Sequence, residues 1–374
     1  MNLFYKMSMI EIGQRFSEDL EKTSSDSLNH KTVFYELWNK CKDFGFFNII
    51  NIFDEGASDY WDNIVSFMYG VGLGASSMGI FFSVNVQLWA CIFPIKKYAS
   101  TVIHNKLIHE LSQGHLICAH AISENMAGSD VFNINTEYVK TPEGYILNGQ
   151  KNYVTNAPYA DVYLVYARKK GTTGYDKISC FLVNKKMQGL YVGDMISKMG
   201  MEYSPMASIY LNNCQVDSEA LLGKENQGVF IFNHAMMYER PLLLAFQIGL
   251  MENQLKRNVK FCKERKQGGV AIIKHQSVSN RLADMKVNLE ACKLFLKDTI
   301  LKLKKDQGIY ESSSIAKLFI SEKLVANSMM AMENYGTYGY IKECVAEQNL
   351  RDSLGALFYS GTSDIQRNII SKFL

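Results

Sequence analysis

Seven histidines and eight cysteines are the residues of this 374-residue chain that could hold a metal or run thiol chemistry, and their spacing argues against both. His104, His109, His115 and His120 follow one another at steps of five, six and five residues. Two ligands on one helix face need steps of three or four, so no metal site is expected and the first three histidines read as surface or interface residues. The cysteines, at positions 41, 91, 118, 180, 214, 262, 292 and 344, stand singly with no CxxC pair. They read as reduced, mostly buried thiols of a cytoplasmic protein. Gly70-x-Gly72-x-Gly74 is a weak nucleotide-loop signal, because it follows no clear strand and has no matching acid downstream.

The length predicts two or three domains. Hydrophobic residues make up 47% and charged residues 21%, which suits a soluble globular protein and argues against disorder. The net charge is +3 without a long basic run, so nucleic acid is not expected as a partner. The N-terminus lacks a sustained apolar core and a small-residue cleavage site. Glu11, Glu18 and Asp19 come early for a transit peptide. No charged residue occurs from Ile64 to Ile95, long enough to span a bilayer. Glycine, serine, Asn85 and Gln87 dilute that stretch, and a buried helical hairpin is expected there rather than a membrane span.

Three regimes follow one another. Residues 1–114 read as a helical domain. Residues 115–222 carry aromatic and β-branched runs, Tyr145 to Thr155 and Asp161 to Ala167, separated by turn signals such as Thr141-Pro-Glu-Gly, and predict an antiparallel β domain. Residues 223–374 return to helix. Val278, Leu282, Met285, Leu289, Cys292, Leu296, Ile300 and Leu303 recur at steps of three and four, as on a long bundle helix. Pro241 sits inside or at the start of another apolar helix.

Ser123-Glu-Asn-Met-Ala-Gly-Ser-Asp130 resembles the TEPxAGSD signature of the acyl-CoA dehydrogenase family. Leu147 to Asn156 resembles its LNGxKxWITN segment. Tyr238-Glu-Arg-Pro241, Arg265-Lys-Gln-Gly-Gly, His275-Gln276, Leu282 to Met285, Gly339-Tyr340, Arg351-Asp352 and Gly361 to Arg367 follow in the family's order. The resemblance covers about residues 30 to 374. It implies an α+β fold: an N-terminal α-helical domain, a middle antiparallel β-barrel and a C-terminal four-helix bundle, assembled as a homotetramer or dimer. It implies FAD as cofactor and α,β-dehydrogenation of an acyl thioester. That chemistry needs a carboxylate base, hydrogen bonds to the developing enolate oxygen and a hydride acceptor.

By the same resemblance, His120, Ile122, Ser123, Gly128, Ser129, Tyr153 and Thr155 line the flavin ring. Arg265, Gln267, His275, Gln276, Glu333 and Gly336 reach the pyrophosphate and adenosine of a neighbouring subunit's FAD. Arg265 offers a charged fork suited to a pyrophosphate, although in Lys263-Glu-Arg-Lys-Gln it also reads as a solvated charge. Tyr359, Thr362 and Asp364 fall beside the flavin. Two departures stand out: Gly268 replaces a phenylalanine, and Glu333 stands where a glutamine is usual. Many members carry the base just before Gly361-Thr362, where this chain has Ser360, a hydroxyl too weak for the task unless activated. In the isovaleryl- and long-chain-type branch the glutamate precedes the bundle arginine, and this chain has Glu239-Arg240 there. Glu239 is therefore the expected base, with the N–H of Ser360 polarising the thioester carbonyl.

Met237 replaces the aspartate that meets the pantetheine arm, three residues before Arg240, and Ser129 and Arg240 complete the expected substrate contacts. Drift at CoA-contacting positions favours an acyl, aminoacyl or hydroxyacyl group tethered to a carrier protein in a secondary-metabolite pathway. Fatty or branched acyl-CoA is the runner-up, and a non-catalytic scaffold that binds FAD or an acyl thioester is the third reading. Electron-transfer flavoprotein or oxygen would reoxidise the flavin, and the residues do not separate the two.

Overall fold

The computed structural model describes residues 9–22, 29–52, 55–99 and 102–374. Residues 1–8, read above as free of a leader's features, lie outside them. The N-terminal region is helical: α1 (Met9–Glu21), α2 (His30–Phe44), α3 (Ile49–Ile52), α4 (Tyr60–Gly74), α5 (Gly79–Asn85), a π-helical segment (Val86–Ile92), α6 (Phe93–Tyr98) and α7 (Val102–Ser112). Eight strands follow: β1 (Cys118–Ala121), β2 (Glu137–Thr141), β3 (Gly144–Thr155), β4 (Val162–Lys169), β5 (Ile178–Asn184), β6 (Leu190–Val192), β7 (Met206–Asp217) and β8 (Leu221–Leu222). The chain ends in α8 (Gly228–Glu264), a small hairpin of β9 (Lys266–Gln267) and β10 (Val270–Ala271), then α9 (Gln276–Lys305), α10 (Ile309–Tyr335), α11 (Val345–Gly355) and α12 (Ser363–Ile370).

The uncharged stretch is buried helix, as expected, but its two parts pack on other elements: α4 lies against α1 and α8, and the continuous helix Gly79–Tyr98, 94% of whose most apolar window is buried inside the protein, lies against α8 and β1. The π turn ends just ahead of Pro94, which has no N–H to continue an α ladder. The glycine run lies inside α4 and is a helix contact. A Cβ on Gly72 would come within 2.0 Å of the Phe246 carbonyl oxygen, and one on Gly249 within 2.0 Å of that of Tyr69. Only glycine lets α4 and α8 touch backbone to backbone there. All eight cysteines are buried and unpaired.

The sheet runs β6-β7-β3-β2-β4-β5-β8, with β1 paired to the first half of β4 on the edge that β2 takes further along, and its end strands β6 and β8 do not pair with each other. The purely antiparallel expectation is corrected: β1 and β2 both run parallel to β4. The β2–β3 hairpin carries the chain back before β4 begins, so it serves as the crossover that parallel pairing requires. Register shifts in β3 at Leu147/Gly149 and Lys151/Val154 interrupt the ladder, and the second brings Tyr153 to φ 58°.

In the C-terminal region α8, α9 and α10 are long, and the short α11 and α12 pack on α10 to complete the bundle. The stripe read from the sequence is the buried face of α9, from Leu282 to Leu303, with Val278 half-buried at its start. Pro241 lies inside α8. That position costs about 3 kcal/mol in an isolated helix, and here it is held by an almost continuously buried segment from Glu239 to Met251. Asp352 on α11 joins the three regions. Its carboxylate accepts the N–H of Met78 at 2.9 Å and that of Met201 at 2.5 Å.

Candidate active site

Glu239 is buried on α8, where helices α5 and α10 and the turn 356–362 meet it. Its Oε1 accepts the Ser360 hydroxyl at 2.9 Å and the Asn85 side-chain N–H at 3.3 Å, while Oε2 is buried with no hydrogen-bond partner. Burial pushes the Glu239 carboxyl above its ordinary range, and the Ser360 hydrogen bond, Arg240, Lys317 and Asn85 hold it back from rising further. A desolvated carboxylate with one open oxygen can take a proton from a substrate.

The turn carrying Ser360 has left-handed backbone at Ser360 (φ 54°) and Gly361 (φ 90°). Its carbonyls are gripped from below. Arg240 Nε donates to the Ser360 oxygen at 3.1 Å, and Gln366 Nε2 donates to the same oxygen and to that of Gly361. Lys317 Nζ donates to Ala356 at 2.9 Å and Gly361 at 2.7 Å. Lys317 is buried beside Arg240, and burial pulls its ammonium down to about 7. Arg240 also reaches Ser314 and lies over the Tyr310 ring, so it braces the turn. Tyr359 packs against Phe82 and accepts a hydrogen bond from Gln247. Thr362 caps α12 by accepting the N–H of Ile365 at 3.2 Å, Asp364 is exposed and paired with Arg367, and Met237 is half-buried.

The residues expected at the flavin ring divide in two. Ser129 and Tyr153 are exposed, Ser123 and Thr155 half-buried, and nothing lies within 4 Å of where a Cβ on Gly128 would be. These form an accessible edge. His120 and Ile122 turn inward. The His120 ring stacks on Phe232 and bonds Tyr166 at 3.1 Å, and burial pulls its imidazole down to about 4, so it is neutral. Beneath the edge, Glu124 binds Lys151 at 2.8 Å, the Thr136 hydroxyl at 2.6 Å and the N–H groups of Asn135 and Thr136. Lys151 also donates to the Ile122 carbonyl at 3.1 Å.

Arg265, Gln267, His275, Gln276, Glu333 and Gly336 gather at the opposite end of α8, all exposed. Arg265 has no carboxylate partner among the described residues. Gly269 and Gly336 have left-handed backbone and open space around them. Glu333 is neutralised by Arg281 at 2.9 Å, so the acid in place of a glutamine adds no free charge. Arg265 lies 26 residues beyond Glu239 on or just past α8, roughly 39 Å along the axis at 1.5 Å per residue. The two groups are therefore separate within one chain.

Sequence reasoning missed Asn85, Gln247, Lys317, Gln366, Arg281 and the Glu124–Lys151 pair as parts of these sites. The only signal for Asn85 was a polar residue inside an uncharged run, and it was read as dilution.

A fold of helices, middle sheet and helices, with these motifs in place, defines the class, and the comparisons agree. Residues 119–214 match the acyl-CoA dehydrogenase middle domain and residues 226–374 the acyl-CoA dehydrogenase C-terminal domain. The chain belongs to the acyl-CoA dehydrogenase family. It is similar to an L-prolyl-[peptidyl-carrier protein] dehydrogenase of Serratia sp., 33% identical over 97% of this chain and 95% of that protein. Among solved structures it is similar to the prolyl acyl carrier protein oxidase AnaB, with TM-score 0.89, 32% identity and coverage of 98% of this chain and 97% of that one. PigA with FAD and proline superposes with TM-score 0.90 at 31% identity, covering 98% of this chain and 96% of that one.

Proposed function

We propose that this protein is an FAD-dependent dehydrogenase that removes the α and β hydrogens of an aminoacyl thioester held on a carrier protein's phosphopantetheine arm, within a secondary-metabolite pathway. The observation that carries the reading is Glu239: a buried carboxylate with one oxygen held and one open, in a chain 33% identical over nearly its whole length to an L-prolyl-carrier dehydrogenase. The residues suit FAD. The accessible edge at Gly128, Ser129, Tyr153 and Thr155 would hold the flavin ring, and Thr362 and Asp364 would approach it. Arg265, Gln267, His275, Gln276, Glu333 and Gly336 would hold the pyrophosphate and adenosine, with Arg265 free of a carboxylate among the described residues. Bound FAD supplies a two-electron acceptor for the β-hydride.

The protein's own part follows from the geometry. Glu239 Oε2 takes the α-proton. Ser360 Oγ and Asn85 fix Oε1, so the base has one orientation. Arg240 and Lys317 supply positive charge near the carboxylate and hold the turn whose Ser360 N–H polarises the thioester carbonyl. Tyr359 closes the site beside Phe82 and keeps water out. Met237 brings no carboxylate to the pantetheine-facing position; that arm is common to CoA and a carrier protein, so the carrier reading rests on the likeness to the L-prolyl-carrier dehydrogenase.

Assembly belongs to the same reading. Glu239, where the reaction takes place, and Arg265, at the pyrophosphate end, are roughly 39 Å apart along α8, further than one extended dinucleotide spans, which supports flavins shared between copies in a dimer or tetramer. Val287, Leu294 and Leu301 form an exposed apolar line at seven-residue spacing on α9, suited to a second copy. The boundaries 1–114, 115–222 and 223–374, a barrel-like wrap of the middle sheet, a cytoplasmic location and reoxidation by electron-transfer flavoprotein or oxygen complete it. Anaerobic bleaching of the flavin band by L-prolyl-carrier protein, set against L-prolyl-CoA and fatty acyl-CoA, tests the proposal. Bleaching by the carrier thioester alone is expected. Bleaching only by fatty acyl-CoA would return the protein to acyl-CoA metabolism, and a protein that cannot be loaded with FAD would make it a scaffold.

A further inference from the structure

We infer that Asn85 is the specificity residue for an amino substituent: its side-chain oxygen accepts the N–H on the substrate's α-carbon. The inference rests on the proposed α,β-dehydrogenation and deepens it to a substrate class. Asn85 is fully buried at the C-terminal end of α5. Its amide N–H is committed to Glu239 Oε1 at 3.3 Å. That fixes the orientation of the side chain, because a carboxylate oxygen can only accept and must face the Asn85 donor rather than its oxygen. Asn85 Oδ1 is then left buried with no protein donor, and so is Glu239 Oε2.

Two buried acceptors without donors, linked through one carboxylate, are costly unless a ligand supplies the missing protons. A fatty acyl thioester brings Glu239 Oε2 an acidic α-C–H but has nothing to donate to Asn85 Oδ1. A thioester with a secondary amine on the α-carbon offers an acidic C–H and an N–H on neighbouring atoms. The acidic C–H goes to Glu239 Oε2 as the proton to be removed. The N–H goes to Asn85 Oδ1, which holds the α-carbon against the base. Beside them Tyr359 packs on Phe82, which gives this part of the site an apolar wall. A site built to bond an N–H rejects the analogue without it far more strongly than an apolar pocket rejects a missing methylene.

The test compares L-prolyl and cyclopentanecarbonyl thioesters, which share ring size and differ at the nitrogen. Both are offered to the FAD-loaded enzyme and to Asn85→Leu on carrier protein and on CoA. The rate of anaerobic flavin reduction is read for each. Intrinsic reactivity, and any effect exerted through Glu239, cancel in the ratio of the two substrates between the two proteins. The expected result is that Asn85→Leu slows prolyl at least ~10-fold more than it slows cyclopentanecarbonyl. Equal slowing of both, or slowing of neither, would overturn the inference and leave Asn85 as a residue that only positions the base. Bleaching confined to the CoA pair with the ratio shifted as expected would keep Asn85 and remove the carrier protein. No bleaching by any of the four would sink the reaction and Asn85's role together. If Asn85→Leu does not fold or loads no flavin, Asn85→Ala gives the same ratio without added bulk.

Discussion

Ser360→Ala removes one atom from the base's surroundings, and its consequence can be worked through. The Ser360 hydroxyl donates to Glu239 Oε1 at 2.9 Å, and it is the largest influence holding the carboxyl down against burial. A hydrogen bond to a charged group contributes about 1.5–3 kcal/mol. Its loss therefore raises the Glu239 pKa. The sign follows from which form is favoured: the bond stabilises the carboxylate, so removing it stabilises the protonated, inactive acid. The acid limb of the pH profile for flavin reduction should therefore move to higher pH, and at a fixed pH on that limb the rate should fall by about 10–100-fold, the factor that such a bond energy corresponds to. On the alkaline plateau the variant should react within a few-fold of the parent, because the base itself remains. The assay is single-turnover anaerobic reduction of the bound flavin by a saturating thioester over a pH series. A limb that stays in place, or moves to lower pH, would refute the reasoning that Ser360 tunes Glu239.

The remaining predictions concern how the site is held. Glu124→Ala leaves Lys151 buried without its carboxylate and should cost about 3–5 kcal/mol in denaturant unfolding; a loss under 1 kcal/mol would mean that the pair is not structural. Lys317→Met removes the donor to the Ala356 carbonyl, whereas Gly361 keeps Gln366, so stability should fall by about 1–3 kcal/mol and FAD should dissociate more readily. Equal flavin retention would separate Lys317 from the turn. Gly72→Ala should destabilise the fold by more than about 3 kcal/mol, since the added Cβ meets the Phe246 carbonyl at 2.0 Å with only backbone to yield. An unchanged melting temperature would show that α4 and α8 are not in backbone contact.

What was legible in the sequence is what depends on near neighbours. The α9 stripe was readable because its buried residues recur every three or four positions along one helix. The strands at Tyr145 and Asp161 were readable from composition, but the parallel pairing of β1 with β4 was not, because it joins residues 44 positions apart, Cys118 and Val162. Gly70-x-Gly72-x-Gly74 gave a nucleotide-like signal because what requires glycine there, the backbones of α1 and α8, is distant in sequence. Glu124 lies inside the Ser123–Asp130 motif, yet its partner Lys151 is 27 residues away. The proximity of Glu239 and Ser360 spans 121 residues and came only through resemblance, and the short contact between them is a structural finding.

The most direct test of the account is Glu239→Gln. The amide keeps the volume of the side chain and an oxygen that can accept from Ser360, but it cannot take a proton. The FAD-loaded variant, mixed anaerobically with L-prolyl-carrier protein, should keep its flavin spectrum and bind the thioester while losing reduction by about a hundredfold or more, the scale of a general base. Reduction at the parent's rate would contradict the assignment of Glu239 as the base and leave the reaction to another residue.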